Sequence, residues 1–569
     1  MKVVGAAKSE MVQALTTPFR IAALMVPLLA IGCAADRPKP IESSPETQAV
    51  TADARRAAQA GELAYALELL QSVRLELRDP QVLSQAAQLA VALEEWPAAL
   101  EMVERWSELA PGSRQAAQIA LLANLRLGRV DPAVDVLAGD LIASADDRDA
   151  AWLAATRVLA RAGDPDLAAQ VIERALARDS LSSSPGFEAY LNSRVVAALG
   201  RSEQAYALAS RAHDLGPSFE RAFWAGRLAR LQARTEEALS WFEAASAEKP
   251  GDRLALMGQV EMLRSLGRPE QALGLLSGAD GDAEMLYTRG VLEQELGRIA
   301  AAGATWQRMA ALDPATAGAR HAWLTALLAE LLSMNDRAEQ WYDRVEGAFR
   351  QRADLRRAAV IARAGNPGEA QALLATLRVD AEPEIRERAW LLESGILVEE
   401  GTPERAIEIL SEALAELPGS VDLLYSRAMA AVSADELSLA EQDLRAIIQN
   451  DPENAMALNA LGYTLSDRTD RQREAFRLIE TAYELDPDNP AILDSMGWVL
   501  FKLGRPAEAL EYIERAAATD PHAEIVAHLI EVLWTLDRRD EAMVWIDRLG
   551  PRFRGEAVYD STLDRLGIE

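Results

Sequence analysis

Cysteine is almost missing from this chain: Cys33 is the only one in 569 residues. An intramolecular disulfide is therefore excluded, and so is any metal site that needs two thiolates. Histidine is scarce as well, with four residues (His213, His321, His522 and His528). His522 and His528 stand six apart with no third ligand in view, and they read as surface or helix-end residues rather than a metal site. Lysine occurs only at 2, 8, 39, 249 and 502, so positive charge rests almost entirely on arginine, a bias of genome base composition rather than of function. Aromatic residues make up 5%. The chain contains no GxSxG nucleophile elbow, no P-loop and no GxGxxG opening a helix. Its 88 acidic residues are so many that carboxylates near one another in sequence say nothing about catalysis. No catalytic residue, metal or cofactor is expected.

Positive charge overall is also short. The formal net charge is −29, and a surface that acidic repels phosphate backbones and anionic headgroups. Nucleic acid is therefore excluded as a partner. Half of the residues are hydrophobic, with Ala and Leu prominent among them, a composition that favours helices.

The N-terminus is what places the lone thiol. Ile21 to Ile31 is an apolar run too short to span a bilayer, preceded by Lys2, Lys8 and Arg20 with only Glu10 opposing them. It reads as a secretory signal. The segment Ala30-Ile31-Gly32-Cys33 resembles the lipobox of bacterial lipoproteins, with Ala30 where that family usually has Leu. Both Met1 and Met11 precede it. The resemblance implies cleavage before Cys33 and three acyl chains on the new N-terminus, enough to hold a protein stably on a membrane. Ala34, rather than Asp, follows the cysteine, which in that family implies the periplasmic face of the outer membrane. Cleavage would take away three positive charges and one negative, leaving −31. Residues 1–32 are thus a lipoprotein signal and 33–50 a lipidated tether. The stretch "AADRPKPIESSPETQAV" is too polar and too rich in proline to fold by itself.

The rest of the chain repeats itself. "ALNALGYTLSDRTDRQREAFRLIETAYELDP" and "ILDSMGWVLFKLGRPAEALEYIERAAATDP" each read as an amphipathic helix, a polar turn, a second helix and an Asp-Pro stop. Small residues (Gly497, Ala509, Ala516) fall where two helices must approach closely, with Leu493, Leu500 and Ile513 as the larger contacts. An alanine opens each second helix at Ala66, Ala99, Ala133, Ala168, Ala205, Ala238, Ala272, Ala302, Ala338, Ala370, Ala406, Ala440, Ala475, Ala509 and Ala542, at a mean step of 34. This spacing resembles the tetratricopeptide repeat. The resemblance implies an all-α solenoid, a right-handed superhelix of 13 to 15 helical hairpins over residues 51–551. Residues 552–569, with "VYDSTLDRLGIE", would then form a capping helix. The steps around Ala338 and Ala370 suggest irregular loops.

In that family the first helix of each unit lines a groove. Asn459, Tyr463, Asp494, Trp498, Phe501 and Trp534 fall at groove positions, where aromatic rings beside Asn and Asp suit an extended peptide or a partner helix. Packing of Trp498 and Phe501 between neighbouring hairpins is an equal alternative. Residues 420 to 569 resemble more narrowly the proteobacterial outer-membrane lipoprotein that partners a periplasmic carboxyl-terminal processing protease. This resemblance implies a non-enzymatic adaptor that binds a PDZ-containing serine protease and brings it substrates such as peptidoglycan hydrolases. The alternative is an assembly or pilot factor for an outer-membrane secretin or a polysaccharide exporter.

Overall fold

The structure, a computed structural model, describes residues 44–178, 186–278, 281–314, 317–318 and 320–568. The signal segment, Cys33 and most of the tether lie outside the described residues. One boundary moves: the first helix, Pro45–Gln59, begins inside the stretch read as tether. Ser44 caps it by accepting from the Thr47 amide, Pro45 takes the first-turn position where its missing N–H costs nothing, and Glu46 faces the positive end of the helix dipole.

Among the described residues there are 31 α-helices and no strand. In chain order they run as fifteen first-and-second pairs and a last helix, Ala557–Leu566. All fifteen alanines that mark the period sit on second helices and have no exposed surface. A methyl is what fits at each of these crossings, so the alanine period carries the helix spacing. The units at Ala338 and Ala370 are complete hairpins too, although the second helix at Asn335–Asp343 is short and a 3-10 turn, Gly347–Phe349, follows it.

The chain divides into two compact units, residues 1–266 and 267–569. The first holds six hairpins and the helix Arg253–Ser265. Its apolar cores succeed one another along the chain, from Ala54 to Ala123 and from Ala117 to Ala212. The second opens with Pro269–Leu275 and continues through eight hairpins. One buried cluster runs there without interruption from Trp390 to Leu563. The last helix contributes Tyr559, fully buried, and Leu563 to that cluster.

Local chemistry sets the ends of the helices. First helices tend to carry side-chain caps: Ser113, Asp147, Ser218, Asp252, Asp282, Ser420, Asn454 and Asn489 each accept from a first-turn amide. The tight turn into the second helix instead takes a left-handed residue, as at Gly504 (φ 77°). In five hairpins that residue is not glycine but Glu94, Ala233, Ser333, Asp435 or Asp537, at φ between 56 and 62°. Ala233 has no polar side chain to offset the strain and is exposed. Ala233→Gly is therefore expected to raise stability by about 0.5–1 kcal/mol. A thermal melt followed by circular dichroism reads this, and a lowered midpoint would count against the strain argument.

Candidate protein-binding site

Three consecutive first helices, Ala455–Arg468, Pro490–Lys502 and Ala523–Thr535, hold the candidate residues. Asn459 and Asp494 are each the fifth residue of their helix and His528 is the sixth of its own, and stacking the hairpins brings His528 against Asp494. His528 Nδ1 lies 3.0 Å from both carboxylate oxygens of Asp494. The imidazole is stacked on the indole of Trp498 with centroids 3.9 Å apart and planes within 17°. Trp498 in turn stacks on Phe501 at 5.4 Å, and the Lys502 ammonium sits 4.7 Å from the indole centroid. Tyr463 reaches past the middle hairpin to donate its hydroxyl to Glu524 at 2.5 Å.

Four of the six residues singled out from the sequence, Tyr463, Asp494, Trp498 and Phe501, are thus brought together. Asn459, at the same helix position as Asp494, is half-buried, with its Oδ1 shielded from solvent and without a hydrogen-bond partner. Trp534 stands apart, half-buried against the core with the Arg539 guanidinium 5.1 Å from its ring. Of the two readings open for Trp498, packing between hairpins is the one that holds, and it holds for Asp494 as well. Asp494 and Trp498 are each 5% exposed, because the next hairpin lays His528 over them. They pack between hairpins, and the parts a partner can touch are the half-exposed faces of Asn459, Tyr463 and Phe501 beside exposed Lys502.

The reading of His528 needs correcting. It is not a surface residue: it is 5% exposed, and Asp494 is its hydrogen-bond partner. The 34-residue step from Asp494 was the signal that could have found it. His522, by contrast, is exposed and stands at a helix start. Burial disfavours the charged imidazole, but the Asp494 carboxylate outweighs it, with Glu524 and Glu531 adding to the effect, so the His528 pKa is raised above its ordinary value. The Tyr463 hydroxyl is pushed up too, by burial first and then by the Glu524, Asp494 and Asp467 carboxylates.

A carboxylate holding an imidazole is half of a proton-transfer device. Here the ring is sealed beneath Trp498, and its role is to join two hairpins. Among the described residues no group of three His, Cys, Asp or Glu side chains could hold a metal ion.

The tetratricopeptide-repeat profile matches residues 357–421, 425–490, 471–525 and 500–566. The chain carries tetratricopeptide repeats. Its fold is the all-α hairpin repeat of that name. The TPR repeat-containing protein PA4667 of Pseudomonas aeruginosa is 42% identical over 179 residues, which is 32% of this chain and 30% of that protein. The type IV pilus assembly protein PilF of the same organism is 30% identical over 132 residues, 23% of this chain and 52% of PilF. The chain thus spans about a third to a half of the curated relatives it matches. Among solved structures, Naa15/Naa10 bound to HypK-THB is similar at a TM-score of 0.36 and 12% identity, covering 92% of this chain and 95% of that one. Yeast Tom70 is similar at 0.33 and 13%, with the same coverage.

Proposed function

We propose that this tetratricopeptide-repeat chain is a non-enzymatic scaffold, anchored through a lipid on Cys33 to the periplasmic face of the outer membrane. There it binds a PDZ-containing serine protease of the carboxyl-terminal processing type and presents cell-wall hydrolases to it. The observation that carries the scaffold part is the run of stacked hairpins whose first helices offer a row of half-exposed aromatic and amide side chains, Asn459 and Tyr463 on one helix and Phe501 on the next. Such a row suits an extended peptide or a helix of a partner. Holding protease and substrate on one scaffold replaces dilute encounter with an effective concentration of order millimolar, so modest affinity at each site suffices.

A chain starting at Ala34, immobilised and exposed to periplasmic extract, tests the reading when retained proteins are identified by mass spectrometry. Recovery of the protease is the expected result. A chain ending at Pro452, just after the helix Leu437–Asn450, should keep its upstream hairpins folded, since repeat stability is a sum over neighbours. It should retain at least tenfold less protease. Equal retention would remove the last three hairpins from the interface.

A second reading has one observation of its own: the relative at 30% identity is named for type IV pilus assembly. Under that reading the scaffold assembles an outer-membrane secretin or exporter, and subunits of that machine would be retained in place of the protease.

A further inference from the structure

Three first helices of the first unit carry arginine at one register. On Arg148–Arg161, Phe187–Ala198 and Phe219–Leu231, the residues Arg157, Arg194 and Arg227 each stand eleven positions before the buried alanine of the following helix, Ala168, Ala205 and Ala238. Trp498 holds the same register in its own hairpin, eleven positions before Ala509. Each arginine therefore takes, within its own hairpin, the position that Trp498 takes in its hairpin.

Between two of them lies a tryptophan. The Arg194 guanidinium carbon is 4.3 Å from the centroid of the Trp224 ring and that of Arg227 is 5.6 Å from it, which places the two charges within about 10 Å of each other. Trp224 and its neighbour Phe223 are half-exposed, and Arg157 and Arg227 are exposed.

What sets Arg194 and Arg227 apart is that they share one indole and neither has a counter-charge. Four other arginines of this unit are neutralised: Arg174 by Asp131, Arg178 by Asp135, Arg234 by Glu203 at 2.6 Å and Arg230 by Glu261 at 2.7 Å. Among the described residues no carboxylate pairs with Arg157, Arg194 or Arg227. The Arg227 pKa is lowered, by partial burial first and then by the positive charges of Arg194 and Arg230. In a chain of net charge −29, two guanidinium groups sharing one indole without an acid form a local excess of the rarer sign. A planar guanidinium over an aromatic ring keeps its edge N–H groups free for a carboxylate, and it offers them as a fork.

We propose that this strip docks an extended acidic segment of a partner protein, its carboxylates paired with Arg194 and Arg227 and its backbone laid along Trp224. An extended chain advances about 3.3–3.6 Å per residue, so acidic residues two or three positions apart would reach both arginines, and a further one would continue toward Arg157. Nucleic acid is the poorer occupant, because a polyanion extending beyond the strip meets the acidic remainder of the surface. The proposal goes beyond the adaptor reading, which puts its partner on the second unit.

The test uses the full chain and a fluorescein-labelled decapeptide of alternating Glu and Ala, followed by anisotropy. The Glu peptide should bind, more weakly at 300 than at 50 mM NaCl, as screening of exposed charges requires (the Debye length falls below about 10 Å above 0.1 M). The same peptide with Gln for Glu should bind at least tenfold more weakly. The double variant Arg194→Gln/Arg227→Gln should lose tenfold or more, with its circular-dichroism melt as the control for folding. Arg157→Gln, at an exposed position where folding is not at stake, should lose two- to fivefold. Equal affinity for the Glu and Gln peptides, or unchanged binding by the double variant, would overturn the proposal. So would tighter binding of a ten-nucleotide thymidine oligomer than of the Glu peptide. Capture from periplasmic extract separates the two readings. If the double variant retains every partner of the unaltered chain, the docking strip fails and the scaffold stands. If the unaltered chain retains nothing, the scaffold fails whatever the peptide does.

Discussion

Gly497→Val is expected to destabilise the C-terminal hairpins by about 3 kcal/mol, the upper end of what overpacking a close crossing costs. A Cβ at Gly497 would stand 2.2 Å from Ile513 Cγ1, 2.8 Å from Ile513 Cδ1 and 2.9 Å from the carbonyl oxygen of Ala509. The isoleucine could turn aside, but the carbonyl belongs to helix backbone, so the two helices must separate. Gly462 makes the same close approach one hairpin earlier, against Ile479 at 2.5 Å and the Ala475 carbonyl at 3.1 Å. Separating a crossing loosens the contacts to both neighbouring hairpins, so urea denaturation should show an early transition for the C-terminal part. Gly395 is the internal control. It is an exposed helical glycine with nothing within 4 Å of an added Cβ, and Gly395→Ala should stabilise by about 1 kcal/mol through helix propensity alone. A Gly497→Val chain that melts like the unaltered one would disprove the close crossing.

The second large effect is at His528. Truncation to alanine leaves the Asp494 carboxylate buried without its partner, a change that costs about 3–5 kcal/mol for pairs of this kind. The pH dependence carries the sharper signature. Because the folded pKa is raised, the imidazolium contributes stability that is fully present below the unfolded value near 6.5, and that is lost as pH rises through the folded pKa. The unaltered chain should therefore have a lower urea midpoint at pH 9 than at pH 6. Tyr463 does not confuse the comparison, since its own pKa is pushed further above its ordinary value near 10. His528→Gln should flatten this part of the profile. If the variant and the unaltered chain lose stability in parallel between pH 6 and pH 9, the Asp494–His528 pair is not the cause.

The hairpins were legible because of what a helix crossing demands. Where two backbones come that close only a methyl or a hydrogen fits, so Ala66 through Ala542 recur at a mean step of 34 residues even where the loops between them differ in length. The start of the first helix was missed although its signs were present: Ser44, Pro45 and Glu46 form a helix-entry pattern inside a stretch judged by its prolines. The site was legible only in part. Repeat positions told which side chains lie near one another, and Tyr463, Asp494, Trp498 and Phe501 do stand together. Exposure depends on what the next hairpin lays over them, and that was hidden in a histidine judged by itself. Had His528 been read 34 residues after Asp494, the pair and the burial of Trp498 beneath it would have been in view.

The fully buried alanine has one consequence for how such a chain can change length. The two helices of each hairpin meet at the same small crossing, so a gene duplication or deletion that adds or removes one whole repeat leaves the crossing inside every other hairpin intact. The loss of two or three residues within a helix would instead rotate a larger side chain into the place of the alanine. Within each unit the distance between docking positions can then evolve only in steps of one hairpin, as links are added to a chain. A partner that touches two separated hairpins reads that distance as a count of repeats.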